Sequence, residues 1–78
     1  MPRTQPPVFR FQSWIQHVRA AKAQNQTAAA AAVGVHFRTW TLWEAGRVRP
    51  GRPHMLALAR WGGISVDALL RLCETPDR

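Results

Sequence analysis

The sequence predicts an all-α fold of five short helices, and three observations favour it. Residues 28–32 are all alanine, the residue with the best intrinsic helix propensity. Apolar residues recur at helical steps, as in Phe11, Ile15 and Val18. Stretches rich in glycine and proline, which mark turns and loops, separate the periodic segments. With 78 residues the chain is one small domain, able to bury only about 60% of its unfolded surface.

The first helix is predicted over residues 8–22, behind a proline-rich N-terminal arm of residues 1–7. Two starts fit the sequence: Pro7 in the first turn, or a capping box of Ser13 and Gln16 one turn later. We expect the earlier start. Trp14 lies one residue off the apolar stripe, so it covers the edge of the core or, alternatively, forms part of a partner surface.

The next two helices are predicted over residues 26–33 and 36–45. Asn25 is the expected N-cap of the first, and Gly34 lies in the turn, where a positive φ costs glycine little. Trp40 and Trp43 are three residues apart and share the buried face of the second helix. Two short helices joined by a tight glycine turn form a helix-turn-helix, whose second helix enters the DNA major groove. The side chains expected on its other side are Phe37, Arg38, Thr41 and Leu42.

Two more helices complete the predicted domain, residues 8–73. The fourth opens at Pro53 and stops at Gly62 and Gly63, with Met55, Leu56 and Ala59 facing inward. The last runs from a Ser65 cap to residue 73. Its expected inward residues are Val66, Leu69 and Leu70, which leaves Leu72, with Trp61 and Cys73, on another side. Residues 74–78 are predicted to be a flexible tail.

Charge adds an independent indication of the partner. The formal net charge is +7, and Glu44 is the only acidic residue before position 64. A strongly basic body suits a polyanion, although cationic proteins also bind membranes and acidic proteins. The last fifteen residues are close to neutral, with Asp67, Glu74 and Asp77 against Arg71 and Arg78.

Seven residues at characteristic offsets resemble the helix-turn-helix of the lambda-repressor/Cro-like family, also called the xenobiotic-response-element type. They are Gln26, Ala30, Gly34, Trp40, Trp43, Glu44 and Gly46. The family's closing pattern is present at residues 63–67, so the resemblance covers residues 11–72. The family usually has Ile or Val where Trp40 stands and Leu where Ala29 stands. A large ring over a small neighbour keeps the core volume roughly constant.

The resemblance and the spacing together predict the DNA contacts. Arg38 matches the acceptors of guanine, Thr41 suits a base edge, and Phe37 and Leu42 pack on thymine methyl groups unless one belongs to the core or a dimer contact. Glu44 is expected to pair with Arg19 or Arg47. For the loop arginines the alternative is simple solvation. The predicted phosphate contacts are Gln26, His36, Thr39, Arg47, Arg49 and Arg52.

The expected function is that of a sequence-specific DNA-binding transcriptional regulator, a repressor of bacterial or phage type. The resemblance implies a homodimer on double-stranded DNA with two-fold symmetry, and the predicted dimer interface is Trp61, Leu72 and Cys73. The alternative is an antitoxin that neutralises a partner toxin and represses its own operon. Catalytic motifs and cysteine–histidine metal patterns are missing, so we expect no enzyme activity, cofactor or metal. No apolar run approaches about 20 residues, so no membrane span is expected. The single Cys73 fits a reducing cytoplasm, and a cytoplasmic, nucleoid-associated protein is expected.

Overall fold

The computed structural model describes residues 9–75, and the described chain contains helices and no strand, which confirms the all-α prediction. The predicted arm and the end of the predicted tail lie outside this range. Glu74 is the last residue of the last helix. The five helices are α1 (Arg10–Ala21), α2 (Gln26–Val33), α3 (Phe37–Glu44), α4 (Arg52–Gly62) and α5 (Val66–Glu74).

The start of α1 is fixed by a side chain inside the helix. The Gln12 amide oxygen accepts a hydrogen bond from the Phe9 backbone N–H at 2.6 Å, satisfying a donor that has no partner within the helix. The helix therefore begins near the earlier of the two predicted starts, and Ser13 lies within it. The first residue differs from the predicted one by two positions.

The helix-turn-helix is built as the sequence predicts. Asn25 Oδ1 accepts from the Ala28 backbone N–H at 2.8 Å and caps α2. Gly34 ends α2 with φ 86°, and its N–H donates to the Ala30 carbonyl at 2.9 Å. A side chain at Gly34 would meet nothing within 4 Å, so the backbone conformation alone favours glycine there.

Aromatic rings form much of the core. Trp40 and Trp43 are fully buried, and their ring centroids are 5.7 Å apart. Trp61 packs edge-on against Trp40 at 5.1 Å, and Phe11 packs edge-on against Trp43 at 6.4 Å. Such contacts add stability beyond the area they bury. The helices thus meet around large rings, with Ala29 and Ala30 buried as the small residues of α2.

Trp14 covers the edge of this core, as preferred from the sequence. Its ring lies 6.0 Å from Trp61 and 6.3 Å from Phe11. A Cβ added at Gly62 would collide with the Trp14 ring. The glycine near the end of α4 therefore provides the space that the Trp14 indole occupies.

The predicted inward faces of α4 and α5 are partly wrong. Leu56 is exposed and Leu58 is buried, because α4 is rotated so that residues 58 and 59 face the core. In α5, Leu70 is exposed, whereas Cys73 is only 4% exposed and belongs to the core with Leu69. Residues 69 and 73 are four apart and share one face. The apolar pattern of α4 is compatible with either Leu56 or Leu58 facing inward. For this reason the pattern alone assigned the wrong leucine to the core.

Candidate nucleic-acid interface

The face of α3 opposite the two buried tryptophans carries the predicted base-contacting side chains. Arg38 is exposed and Phe37 is 46% exposed, whereas Thr41 and Leu42 are half-buried. Arg38 and Leu42 are four residues apart, as are Phe37 and Thr41, so the four side chains form two adjacent rows. A cation beside apolar groups on one short helix can both donate hydrogen bonds and exclude water.

Thr41 has its hydroxyl proton committed to the protein. Its Oγ1 donates to the Arg38 carbonyl at 2.8 Å. The oxygen that remains can accept a hydrogen bond, and the methyl group offers an apolar contact. Toward a base edge, Thr41 is therefore an acceptor rather than a donor.

His36, which the sequence predicts as a phosphate contact, is the N-cap of α3. Its Nδ1 accepts from the Arg38 backbone N–H at 3.0 Å. An accepting Nδ1 carries no proton, so the neutral ring holds its proton on Nε2. Because the residue is exposed, this Nε2–H can donate to a group outside the protein.

Glu44 fixes the other end of α3. Its carboxylate accepts from Arg19 Nε and from the Trp40 indole Nε1, each at 2.6 Å, and from Gln26 Nε2 at 3.0 Å. The Glu44 side chain is only 7% exposed. One carboxylate therefore joins α1, the start of α2 and the middle of α3. Of the two predicted partners it uses Arg19.

These partners determine the charge state of Glu44. Burial by itself would raise the pKa, because it disfavours the charged form. The hydrogen bonds from Arg19, Trp40 and Gln26, with the positive charge of Arg19, outweigh it and lower the pKa of Glu44 below its ordinary value. The carboxylate is thus held ionised at neutral pH.

A polar stripe on α1 was identified only in part from the sequence, which predicted Arg19 as a partner of Glu44 but missed the contacts of Gln12 and Gln16. Gln12 is 7% exposed and its amide packs where a Cβ at Gly46 would stand. Gln16 Nε2 donates to the Glu44 carbonyl at 3.4 Å, and Arg19 binds the Glu44 carboxylate. These three residues follow the four- and three-residue steps of one helix face. That polar periodicity, beside the apolar stripe, was the signal that could have identified them.

The Gln26 side chain is half-buried, and its hydrogen bond to Glu44 fixes its orientation. Thr39 is also half-buried, whereas Arg47, Arg49 and Arg52 are exposed. The Arg49 guanidinium lies over the Phe9 ring, 4.8 Å from its centroid. The predicted phosphate contacts thus differ in kind: the exposed cap His36, two half-buried polar side chains, and three exposed arginines on or beside the loop after α3.

The three residues predicted for a dimer interface do not share an open surface. Cys73 is buried in the core, and Leu72 is half-buried and packed against it. Trp61 is half-buried, and its Nε1 donates to Gln24 Oε1 at 3.1 Å. The placement of Cys73 on an outer side of α5 is therefore wrong, and the exposed large apolar residue of α5 is Leu70, at 40%.

Within residues 9–75, no three His, Cys, Asp or Glu side chains are grouped so that they could hold a metal ion. In the same range, every helix is too short or too polar to cross a membrane.

Solved structures of other proteins share this fold. The chain is similar to the DNA-binding domain of the P22 c2 repressor, residues 1–76, determined by nuclear magnetic resonance. The TM-score is 0.68 at 27% identity, over 90% of this chain and 87% of that one. The similarity confirms the resemblance to the lambda-repressor/Cro-like helix-turn-helix family and its compact all-α fold.

Part of a second structure, apo-HppE, has a similar fold. The TM-score is 0.63 at 22% identity, over 82% of this chain and 36% of that one. No protein-family model matches the sequence, and no curated protein matches it.

Proposed function

We propose that this chain is a sequence-specific DNA-binding regulator, a repressor of bacterial or phage type that acts in the cytoplasm on the nucleoid. The observation that carries the proposal is the way α3 is held in the fold and the side chains that it exposes. Its outer face presents Arg38 and Phe37, while its inner face is anchored by two buried tryptophans and by Glu44. The similarity to the DNA-binding domain of the P22 c2 repressor supports the same role.

In this proposal α3 lies in the major groove. Arg38 donates to guanine O6 and N7, a contact that discriminates between bases by about 1–3 kcal/mol. Thr41 accepts from an exocyclic amino group, since its proton is already bound to the Arg38 carbonyl. Phe37 and Leu42 cover thymine methyl groups, which removes their exposed apolar surface from water.

Phosphate contacts flank the helix. His36 donates from Nε2 as a neutral ring, and Gln26 donates with the amide hydrogen that Glu44 leaves free. Arg47, Arg49 and Arg52 supply positive charge beside the groove, and Thr39 adds a hydroxyl. Phosphate contacts fix position and register, whereas base contacts specify sequence.

We further propose a homodimer on a two-fold site. One recognition helix reads only a few base pairs, and a pair of helices one DNA turn apart doubles the site. The exposed Leu70 lies on α5, in the near-neutral end of a highly basic chain, so two copies can approach there without strong repulsion. Leu70→Glu should weaken self-association with the monomer fold intact. Equal sedimentation of wild type and variant, both as monomers on DNA, would contradict this.

Salt titration tests DNA binding. The wild-type chain should bind a mixed-sequence duplex with an affinity that falls steeply as the salt concentration rises. The reason is that cationic side chains bound to phosphates release the counterions condensed on the DNA. The triple variant Arg47→Gln, Arg49→Gln, Arg52→Gln should lower the slope of log affinity against log salt by roughly one unit per lost contact. Arg60→Gln, an exposed arginine of α4, is the matched control and should change it little. Failure of the wild-type chain to bind any duplex at low salt would overturn the proposal.

A further inference from the structure

A surface pocket of about 130 Å³ lies between the start of α1, the loop after α3 and the end of α5. Phe9, Phe11, Trp43 and Val48 line it, so its walls are aromatic and aliphatic. Phe11 and Trp43 are core residues, 3% and 1% exposed, which makes this wall rigid. Gln12, Gly46 and Cys73 also line it. Burial raises the pKa of the Cys73 thiol, so the sulfur there is neutral.

Two arginines line the same pocket. Arg47 and Arg49 are exposed and contribute to its lining. Arg49 is held in place by the Phe9 ring beneath it, at 4.8 Å, a cation–π geometry. Glu74 lies close enough to Cys73 for its negative charge to raise the pKa of the thiol, whereas the positive charge of Arg49 lowers it. Two cations against one carboxylate leave the pocket positive.

The size and chemistry select one class of ligand. A closed apolar cavity of about 150 Å³ holds one benzene ring, so this pocket suits a single ring. Apolar walls with a few placed polar groups are typical of small-molecule sites. The arginines add a preference for an anionic substituent.

We propose that this pocket binds a small aromatic carboxylate, its ring against Phe9 and Val48, the apolar lining residues with accessible surface, and its carboxylate at Arg47 and Arg49. The consequence for regulation rests on the proposed function. Since both arginines are proposed phosphate contacts, a bound carboxylate competes with the DNA backbone for them. The ligand therefore acts as an effector that weakens DNA binding.

Benzoate is the probe, and the first measurement uses the full chain without DNA. Nitrogen-15 NMR should show a saturable shift of the Trp43 indole N–H and of the Arg47 and Arg49 amides, with a Kd on the order of 1 mM. Benzyl alcohol, which lacks the charge, and acetate, which lacks the ring, should each bind roughly tenfold more weakly. Arg47→Gln with Arg49→Gln should weaken benzoate binding similarly, whereas Arg60→Gln should not. Shifts that grow linearly, or equally with acetate, would overturn the site.

The second measurement adds a duplex at constant ionic strength. Benzoate should lower DNA affinity by more than acetate does in the wild type, and this excess should disappear in the Arg47→Gln, Arg49→Gln variant. Benzoate that saturates the pocket without changing DNA affinity would overturn the effector role. A chain that binds benzoate but no DNA would overturn the proposed function and leave the pocket standing.

Discussion

Arg19 and Glu44, separated by 25 residues of chain, meet through two hydrogen bonds, from Nε at 2.6 Å and from Nη2 at 3.1 Å. Paired contacts of this kind are geometrically specific, because the planar guanidinium matches both carboxylate oxygens. The Trp40 indole and Gln26 amide occupy the remaining acceptor positions. The end of the proposed recognition helix is thereby tied to the start of α2 and to α1.

Removal of Glu44 should destabilise the fold strongly. Glu44→Ala leaves a largely buried Arg19, whose side chain is 24% exposed, without its partner, and we expect a loss of about 3 kcal/mol. Urea denaturation followed by circular dichroism measures the change. The Arg19→Met, Glu44→Ala double variant should recover part of the loss, since it leaves no unpaired charge. A loss in the double variant equal to the sum of the losses in Arg19→Met and Glu44→Ala would show that the two residues are not coupled.

The lowered pKa of Glu44 gives the pair a pH dependence. Its contribution to stability should be complete above the ordinary value of 4.5 and should decline as pH falls through the lower, folded-state pKa. The informative quantity is the difference between wild type and Glu44→Gln, because that difference isolates the Glu44 carboxylate. That difference in unfolding free energy should shrink below pH 4.5. A difference that grows in acid would contradict the assignment.

Trp40 should be essential to the core. The ring is fully buried and bonded to Glu44, so Trp40→Ala should cost about 3–5 kcal/mol, enough to unfold much of so small a domain. Trp40→Phe keeps most of the ring volume and loses the indole donor, and it should cost less. Thermal denaturation compares the two variants. A stable, folded Trp40→Ala chain would place the ring outside the core.

The helix-end glycines should respond differently to alanine. Gly34 and Gly46 both have positive φ, 86° and 76°. At Gly34 the added methyl meets open space, so Gly34→Ala should cost only the backbone strain, about 1 kcal/mol. At Gly46 it also collides with the Gln12 amide, so the cost should be larger. Denaturant midpoints measured side by side decide this, and equal losses would mean that Gln12 moves aside freely.

The sequence was sufficient for the existence of the five helices, for the caps of α2 and α5 and for the turn, because these depend on local residues. Asn25, Gly34 and Ser65 act where their chemistry predicts. The sequence could not identify Gln26 as a partner of Glu44, because the two side chains meet only after α2 and α3 have packed. The Trp40–Glu44 pair is a contact of one helical turn within α3, which the sequence could have indicated. The sequence could not decide the rotation of α4, since Leu56 and Leu58 are equally apolar. The outer face of α3 agrees with the predicted exposure, but its contacts with DNA remain predictions.

Arg38 should determine base preference. Arg38→Ala should weaken binding to the preferred duplex by about 1–3 kcal/mol and affect mixed-sequence duplexes far less. Arg60→Ala, which removes the same charge from α4, serves as the control. Fluorescence anisotropy on both duplexes gives the comparison. Equal weakening on both would assign Arg38 to phosphate contact only.

Selection of bound duplexes from a randomised DNA pool tests the central claim most directly. The wild-type chain should enrich one short motif, repeated with two-fold symmetry at a spacing of about one helical turn. The Arg38→Ala chain, selected in parallel, should enrich the same motif with one position relaxed in each half. A wild-type pool that stays random after repeated rounds would contradict sequence-specific recognition by α3.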